Sequence, residues 1–176
     1  MKKIMIASLK SILLFTVICG VIYTAAVTAV GQVLFPTQAN GSLLKEEKAN
    51  KTVITGSKLI GQTFSGEKYL HGRPVQVSQL SPVSKEQKSR VEKRVQEADM
   101  EEVPLDLVTA SASGIDPEIS IAAAMAQANR IATTRNMKNS EVRAIIKQNI
   151  TGLKIGPVDS RRVNVLGVNQ SLDESE

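Results

Sequence analysis

A chain of 176 residues with 42% hydrophobic and 22% charged residues has the composition of one folded domain. Aromatic residues make up only 3%, and there is one histidine and one cysteine, which argues against a base-stacking nucleic-acid platform, a histidine metal centre, a disulfide and a cysteine-ligated zinc site. The net charge is +5, but the first 44 residues contribute +3 of it, so the remaining 132 residues lack the basic footprint of a nucleic-acid-binding domain.

The first long feature of the chain is an uncharged segment near its N-terminus. Residues 12–35 are apolar apart from scattered Thr, Gly and Gln side chains. A helix of this length reaches about 36 Å, against roughly 30 Å for the hydrocarbon core of a bilayer. We therefore predict a transmembrane helix at residues 12–35, preceded by a short basic cytoplasmic N-terminus at residues 1–11. Under the positive-inside rule, Lys2, Lys3 and Lys10 place everything after the span on the external face of the plasma membrane.

A cleaved signal peptide is the alternative interpretation of the same segment. Lys2 and Lys3 then form its basic start, residues 4–22 its apolar core and residues 27–29 a small-residue cleavage site. The uncharged run extends well beyond the roughly 7–15 residues of a signal core, which favours the membrane anchor. Both interpretations place the rest of the chain outside the cytoplasm.

The segment after the span is rich in small, polar and charged residues. Residues 36–51 are predicted to be a juxtamembrane linker, with Leu43 and Leu44 against the lipid surface. A soluble domain is then predicted at residues 52–170, and a frayed acidic tail at residues 171–176.

Two short strands, a helix and a further strand are predicted in the first half of the soluble domain. Alternating β-branched and polar residues predict two short strands about a turn within residues 52–64. Ser84 followed by Gln87 is a capping box, and it predicts the start of a charged helix with a narrow apolar stripe. Residues 104–113 begin with the pattern of a strand.

The second half is predicted to contain two helices and a last strand. Either Asp116 or Ser120 is expected to cap an alanine-rich helix that ends near residue 135, and a shorter helix follows at residues 139–150. Alternation at residues 162–169 predicts a strand. The predicted fold class is therefore a single-pass membrane protein, with an N-terminal transmembrane helix plus a small mixed α/β soluble domain.

Enzyme motifs are weak in this chain. Residues 56–63 have the glycine spacing of a phosphate-binding loop, but Gln62 occupies the place of the phosphate-contacting lysine. Ser111 is not in a nucleophile elbow, and a single histidine is the only imidazole base. Asp106, Asp116 and Glu118 could pair as carboxylates, although local roles as turn or cap residues are favoured. The residues alone favour a non-enzymatic accessory subunit or binding module, with an enzyme that uses Asp106 or Asp116 as a third possibility.

Several longer motifs occur in one order along the soluble part of the chain. They are GQTF at residues 61–64, YLHGRP at 69–74, VPLDLVTAS at 103–111, GIDPEIS at 114–120, AAA at 122–124, EVR at 141–143 and RVNVL at 162–166, with Gln127, Arg130, Arg135 and Asn169 between or after them. Together with the N-terminal span, this arrangement resembles the C subunit family of the Kdp-type potassium-transporting P-type ATPase over nearly the whole chain.

The resemblance implies an accessory, non-catalytic subunit of a high-affinity, ATP-driven potassium uptake complex. Its implied partners are a potassium-binding channel-like subunit, an ATP-hydrolysing P-type subunit and membrane lipid. The family is described as a catalytic chaperone that raises the ATP affinity of the hydrolysing subunit. Potassium is then the transported ion of the complex, ATP is met only through the complex, and neither a tightly bound cofactor nor a metal site is expected.

The resemblance also implies site residues. Gln127 matches a family glutamine that contributes to nucleotide contact, and Arg130 lies three residues later, although a simple helix-surface pair is the alternative. The family motifs further point to His71, Gly72, Arg73, Pro74, Asp106, Thr109, Ser111, Gly114, Asp116, Pro117, Asn164 and Asn169.

The predicted topology and the implied nucleotide contact conflict, because an external domain cannot meet cytoplasmic ATP. Either the orientation is reversed or the effect on ATP affinity is transmitted through the membrane helices. The chain also departs from the family after Pro74, where a glycine- and asparagine-rich loop is shortened to residues 75–82. A free-standing, membrane-anchored external binding module is the rival hypothesis.

Overall fold

The computed structural model describes residues 1–48, 51–75, 79–98, 100 and 102–175. The chain forms two compact units, Met1–Ser57 and Lys58–Glu176. The second unit therefore begins at Lys58, whereas the sequence places the start of the soluble domain at residue 52. The loop noted at residues 75–82 lies partly outside the described residues.

One continuous helix opens the first unit. It consists of α1 (Lys2–Phe15), a π-helical segment (Thr16–Tyr23) and α2 (Thr24–Leu34). Its 33 residues are long and apolar enough to cross a membrane, and at 1.5 Å per residue they extend about 50 Å. The predicted fold class, a single-pass membrane protein with a small mixed α/β domain, is confirmed.

A short helix and a hairpin follow the long helix in the first unit. Helix α3 (Pro36–Ala39) leads into β1 (Leu43–Lys48), which pairs antiparallel with β2 (Lys51–Ser57). The Ser57 hydroxyl donates to the Gly41 carbonyl at 2.7 Å and closes the base of this hairpin.

The hairpin corrects two sequence predictions. The region predicted as a linker, residues 36–51, contains α3 and β1. The two strands predicted within residues 52–64 are wrong as a pair, because β2 takes its partner from the preceding segment and residues 58–64 form no strand. Strand β1 was missed because it is charged from Lys45 to Lys48, which gives it the composition of a linker.

The second unit is a mixed helix and sheet domain. In chain order its elements are α4 (Lys85–Glu97), α5 (Leu105–Val108), β3 (Glu118–Ile119), α6 (Ile121–Ala126), α7 (Ala128–Arg135), α8 (Asn139–Gln148), β4 (Ile150–Thr151), β5 (Lys154–Ile155), β6 (Val158–Asp159), β7 (Arg162–Asn164) and α9 (Val165–Asp173). The strand order in its main sheet is β3-β7-β4, all antiparallel, and β5 and β6 form a separate hairpin.

The core of this unit lies between the main sheet and helices α6 to α9. Val163 on the central strand faces Ile119 and Ile150 on its two neighbours. Small residues of α6 and α7, including Ala124 and Ala128, are fully buried and allow the helices to approach closely. The buried cluster consists of Leu70, Ile119, Ala123, Ala124, Ala128, Ile131, Ala132, Val142, Ile146, Val163, Val165, Val168 and Leu172.

Local capping signals predicted the helix starts well. The Ser84 hydroxyl accepts from the Gln87 amide at 3.2 Å, which confirms the cap of α4. Ser120 caps the alanine-rich helix by accepting from the Ala123 amide at 3.2 Å. Asp116 instead accepts from the Glu118 amide at 3.0 Å in a turn, so the alternative cap at this residue is wrong. Helix α8 confirms the predicted helix at residues 139–150 to within its last turn.

Three predictions in the soluble domain are corrected. The strand expected at residues 104–113 is the short helix α5, whose start follows Pro104. The strand expected at residues 162–169 ends at Asn164, because the Asn164 side chain accepts from the Gly167 amide and starts α9. The tail expected to fray from residue 171 begins as the last three residues of α9, which ends at Asp173, and Leu172 is fully buried.

Candidate functional site

The candidate site is built around one stretch of irregular backbone, residues 67–71, which we call the clamped segment. It forms no helix or strand, so its carbonyl groups need partners from elsewhere. Arg130 donates to the carbonyls of Glu67 and Tyr69, the second at 2.9 Å, and Arg135 donates to that of Lys68 at 2.7 Å. The two arginine side chains of α7 therefore supply the hydrogen-bond donors that a neighbouring strand would otherwise give to these carbonyls.

Two side-chain amides complete the clamp, and each holds both polar backbone groups of one residue. Asn169 of α9 accepts from the Leu70 amide at 2.8 Å and donates to the Leu70 carbonyl at 3.0 Å. Gln127 accepts from the His71 amide at 2.9 Å and donates to the His71 carbonyl at 3.0 Å. Both amide side chains are 1% exposed. This is the pairing of a β-ladder, supplied by side chains.

Gln127 lies at the break between α6 and α7, and all its hydrogen-bonding positions are engaged. Its amide nitrogen also donates to the Ala123 carbonyl at 3.2 Å, and its oxygen also accepts from Arg130 at 2.9 Å. A side-chain amide offers two donors and two acceptor sites. The residue with the implied nucleotide contact therefore acts in this structure as an internal connector.

Arg130 faces a cleft of about 720 Å³ beside the clamped segment. Burial lowers the pKa of the Arg130 guanidinium from its ordinary value, and the Glu67 carboxylate, 3.5 Å away, acts in the opposite direction. Charged side chains of both signs line this cleft: Glu67, Arg94, Glu97 and Arg130. Its net charge therefore favours neither an anionic nor a cationic ligand.

A second cluster lies around Arg73. Its guanidinium pairs with one oxygen of Asp106 and lies 3.5 Å from Asp116, while the other oxygen of Asp106 accepts from the Ser120 amide at 2.7 Å. Burial raises the pKa of Asp106, but the hydrogen bonds from Ser120 and the charge of Arg73 outweigh it, and the net pKa is below its ordinary value. Both candidate carboxylates therefore face one arginine as charged partners.

Glycine is required where the GQTF and GIDPEIS motifs meet. Gly61 donates its amide to the Ile115 carbonyl at 2.7 Å, and a Cβ at residue 61 would lie 2.5 Å from the Asp116 carbonyl oxygen. Gly114 has a φ of 72°, the left-handed region that favours glycine. Glycine at residue 61 lets this backbone lie directly against that of residues 115–116, and glycine at residue 114 allows the turn just before them.

The remaining motif residues mainly support the backbone. Thr109 donates to the Leu105 carbonyl at 2.7 Å, and Ser111 accepts from the Gly114 amide at 2.9 Å. Asn164 donates to the Lys58 carbonyl at 2.9 Å, and the Pro117 carbonyl accepts from the Val165 amide at 3.0 Å. Gly72 lies beside Val165, and a Cβ at residue 72 would come within 3.5 Å of the Val165 side chain. Pro74 follows Arg73 in the chain.

A family model described as "KdpC: K+-transporting ATPase, c chain" matches residues 5–174. The chain belongs to the KdpC family. It is 38% identical to the potassium-transporting ATPase KdpC subunit of Clostridium perfringens over 97% of each chain. It is 43% identical to the KdpC subunit of Listeria monocytogenes and 40% identical to that of Clostridium botulinum, in both cases over 92% of this chain and 90% of the relative.

In this KdpC-family chain, the motif residues form two neighbouring groups rather than one pocket. The clamp contains His71, Gln127, Arg130 and Asn169, and the Arg73 cluster contains Asp106 and Asp116. Among the described residues, no group of three or more His, Cys, Asp or Glu side chains could hold a metal ion. The chemistry that these residues perform in the structure is the positioning of backbone.

Two members of these groups are absent from the predicted site. Arg135, whose side chain is fully buried, also donates to the Leu172 carbonyl at 3.1 Å and pairs with Asp173 at 2.7 Å. Ser120 supplies the amide that holds Asp106. Arg135 belongs to the family motifs and lies near a helix end, and the sequence carries no other signal for its role. Ser120 ends the GIDPEIS motif and is expected there as a possible helix cap.

Proposed function

We propose that this chain is the accessory, non-catalytic C subunit of an ATP-driven potassium uptake complex in the cell membrane. The observation that carries the proposal is membership of the K+-transporting ATPase c-chain family over residues 5–174, which includes the membrane-length helix. Its partners in this proposal are a potassium-binding channel-like subunit and an ATP-hydrolysing P-type subunit. Potassium is the transported ion, and the chain stabilises the assembly.

We further propose that the Lys58–Glu176 unit lies outside the cytoplasm. Lys2, Lys3 and Lys10 precede or open the apolar helix, and the positive-inside rule keeps them in the cytoplasm. A direct test uses single cysteines in a Cys19→Ala background and a membrane-impermeant maleimide on intact cells. Ser140→Cys, at an exposed position of α8, is labelled without permeabilisation if the unit is external, whereas Lys2→Cys is labelled only after permeabilisation. The opposite pattern would reverse the orientation.

The third part of the proposal is that the chain acts as a catalytic chaperone, raising the ATP affinity of the hydrolysing subunit. With an external unit, this effect is transmitted through the membrane helices. Gln127 and Arg130 are the candidate contacts for nucleotide in the reversed orientation, and there Gln127 has to release His71 before it can bind a ligand, since its polar atoms are already engaged.

The experiment is affinity purification of the tagged full chain in mild detergent from potassium-starved cells, followed by mass spectrometry and a potassium-stimulated ATPase assay. The proposal predicts recovery of a P-type ATPase and a channel-like subunit, and a higher KM for ATP when the chain is deleted or detached. Recovery of the chain alone, with potassium-stimulated activity unaffected by its deletion, contradicts the proposal and favours a free-standing external binding module.

A further inference from the structure

One cleft of the second unit has no part in the clamp or the Arg73 cluster. It measures about 620 Å³, within the roughly 300–1,000 Å³ typical of ligand sites. One wall is the face of α4 that carries Gln87, Arg90, Val91 and Arg94, and the other is the segment of residues 109–112. We call it the Arg90 cleft. It contains Thr109 and Ser111, two motif residues that the proposed function leaves unused.

The charge of the Arg90 cleft is positive on its helical wall. Along α4, Lys88 pairs with Glu92 and Lys93 pairs with Glu97, each at 3.8 Å. Neither of these carboxylates lines the cleft, and no Asp or Glu is among its described lining residues. Arg90 and Arg94 therefore face the cleft without a carboxylate partner there, and the potential favours an anionic group.

The donors of the cleft differ in how they are held. Arg94 donates to the Val108 carbonyl at 3.0 Å, which fixes its guanidinium at the edge of the cleft. The guanidinium of Arg90 has no hydrogen bond or ion pair with any described residue. Ser111 accepts from the Gly114 amide, so its own hydroxyl proton remains available. One fixed guanidinium, one uncommitted guanidinium and one hydroxyl form a set of donors for carboxylates.

We infer that the Arg90 cleft docks an extended, acidic segment of a partner subunit, an inference that rests on the function proposed above. Arg90 and Arg94 are four residues apart on a helix, which places their Cβ atoms about 6 Å apart. Alternate side chains of an extended chain are about 6.6 Å apart on one face. Two acidic side chains at positions i and i+2 of such a segment therefore match the two guanidinium groups.

The apolar part of the cleft supports a peptide rather than a small free anion. Leu80, Val91 and Ala112 line it beside the arginines, and they would contact the carbon atoms of a bound chain. Helix α4 contains no buried residue, so a docked segment would cover the Val91 side chain that the domain itself leaves partly exposed. Burial of apolar surface adds to the ionic attraction.

The test compares two charge reversals on the same helix in the full-length chain. Arg90→Glu reverses the exposed arginine of the cleft, whereas Lys85→Glu makes the same change of charge at an exposed residue that does not line it. Each tagged chain is purified in mild detergent at 50 and 300 mM salt, and the recovered subunits are quantified. We expect Arg90→Glu to reduce recovery of the partner subunits at least tenfold at low salt, and Lys85→Glu to leave it within twofold of wild type.

A second measurement identifies the bound segment. Ala112→Cys in a Cys19→Ala background carries a thiol-linked benzophenone at the exposed rim of the cleft. The expected cross-linked peptide comes from a partner subunit and contains at least two acidic residues in an extended region. A cross-link to lipid or to a peptide without acidic residues overturns the inference.

The outcomes separate this inference from the function on which it rests. If wild-type chain recovers both subunits and Arg90→Glu recovers them equally well, docking at the cleft is refuted and the accessory-subunit role stands. If wild-type chain recovers neither subunit, the proposed function fails and the inference fails with it. Inorganic phosphate that binds wild type but not Arg90→Glu, without any effect on assembly, also overturns the inference in favour of a free-anion site.

Discussion

The clamped segment and helix α4 are held to the same domain by opposite means. The clamped segment has almost no regular structure, yet its successive carbonyls are bound by Arg130, Arg135, Asn169 and Gln127, the last two nearly inaccessible to solvent. Helix α4 is regular and well capped, yet none of its residues is buried. Regular secondary structure is therefore a poor guide to which part of this domain is rigid.

This difference assigns separate roles to the two regions. Buried polar networks that are fully satisfied fix one arrangement of the backbone. Elements with few buried contacts open locally at a small free-energy cost, and binding surfaces are commonly drawn from them. The clamp is the framework of the domain, and α4 with the Arg90 cleft is the part able to respond to a partner.

The largest effect is expected from Gln127→Ala. The change leaves the amide and carbonyl of His71 without partners in a buried position, and each unsatisfied group costs about 1–3 kcal/mol. We expect the free energy of unfolding to fall by about 3 kcal/mol, measured by urea denaturation of the full chain in detergent with Tyr69 fluorescence. Gln96→Ala, on the exposed face of α4, is the matched control and should change it by less than about 0.5 kcal/mol. Equal effects at both residues would remove the contrast between the two regions.

The next prediction is that the two amides act as one unit. Asn169→Ala frees Leu70, the residue next to His71, so loss of either amide loosens the segment that the other still holds. In a double-mutant cycle with Gln127→Ala, we expect the double variant to be about 1 kcal/mol less destabilised than the sum of the single variants. Strict additivity would mean that Leu70 and His71 are held independently.

The elements that could be predicted from the sequence follow the same division. Helix α4 was predicted because its signal is local: Ser84 and Gln87 are three residues apart and need nothing else. The clamp was not predicted, because Gln127 and His71 are 56 residues apart and Asn169 and Leu70 are 99 apart. The family resemblance identified Gln127 and Asn169, but no periodicity carries the information that an amide will bracket a distant residue.

The wrong strand at residues 162–169 has a related cause. Its alternation continues through a true strand into α9, and Asn164 ends the first and caps the second. The helix is then stabilised by burial of Val165, Val168 and Leu172 in the core, which is a tertiary effect. Burial in the core therefore stabilises a helix at Val165 and Val168, although β-branched residues favour a strand by local preference.

A smaller effect with a distinct pH signature is expected at Asp106. Its pKa is lower in the folded protein, so its stabilising contribution is present above the ordinary pKa of about 3.9 and is lost as the pH falls through the folded value. Asp106→Asn should reduce the free energy of unfolding by about 1.5 kcal/mol at pH 7, and the gap to wild type should narrow below that ordinary pKa. Asp173→Asn removes the half-exposed partner of the buried Arg135 side chain and should reduce the free energy of unfolding at pH 7 by less than Asp106→Asn does. A gap at Asp106 that is constant down to pH 2 would exclude the ion pair with Arg73.

The smallest global effect is expected from Ser84→Ala, which removes the N-cap of α4. An N-cap contributes about 1 kcal/mol to its helix. Because α4 has no buried residue, we expect it to open locally, so the loss should appear as faster hydrogen exchange in residues 85–97 rather than as lower global stability. Ser89→Ala, within the same helix and exposed, is the control and should not speed exchange. A fall in global stability equal to the loss in α4 would show that the helix unfolds with the core.

The most direct test of the division between framework and responsive region is hydrogen exchange, followed by mass spectrometry, on the full chain alone in detergent and on the chain purified with its partner subunits. We predict that the amides of residues 69–71 and of α6, α7 and α9 exchange slowly in both samples, and that those of α4 exchange quickly in the chain alone and at least tenfold more slowly in the complex. Slow exchange of α4 in the isolated chain, or the same rate in both samples, would contradict the account.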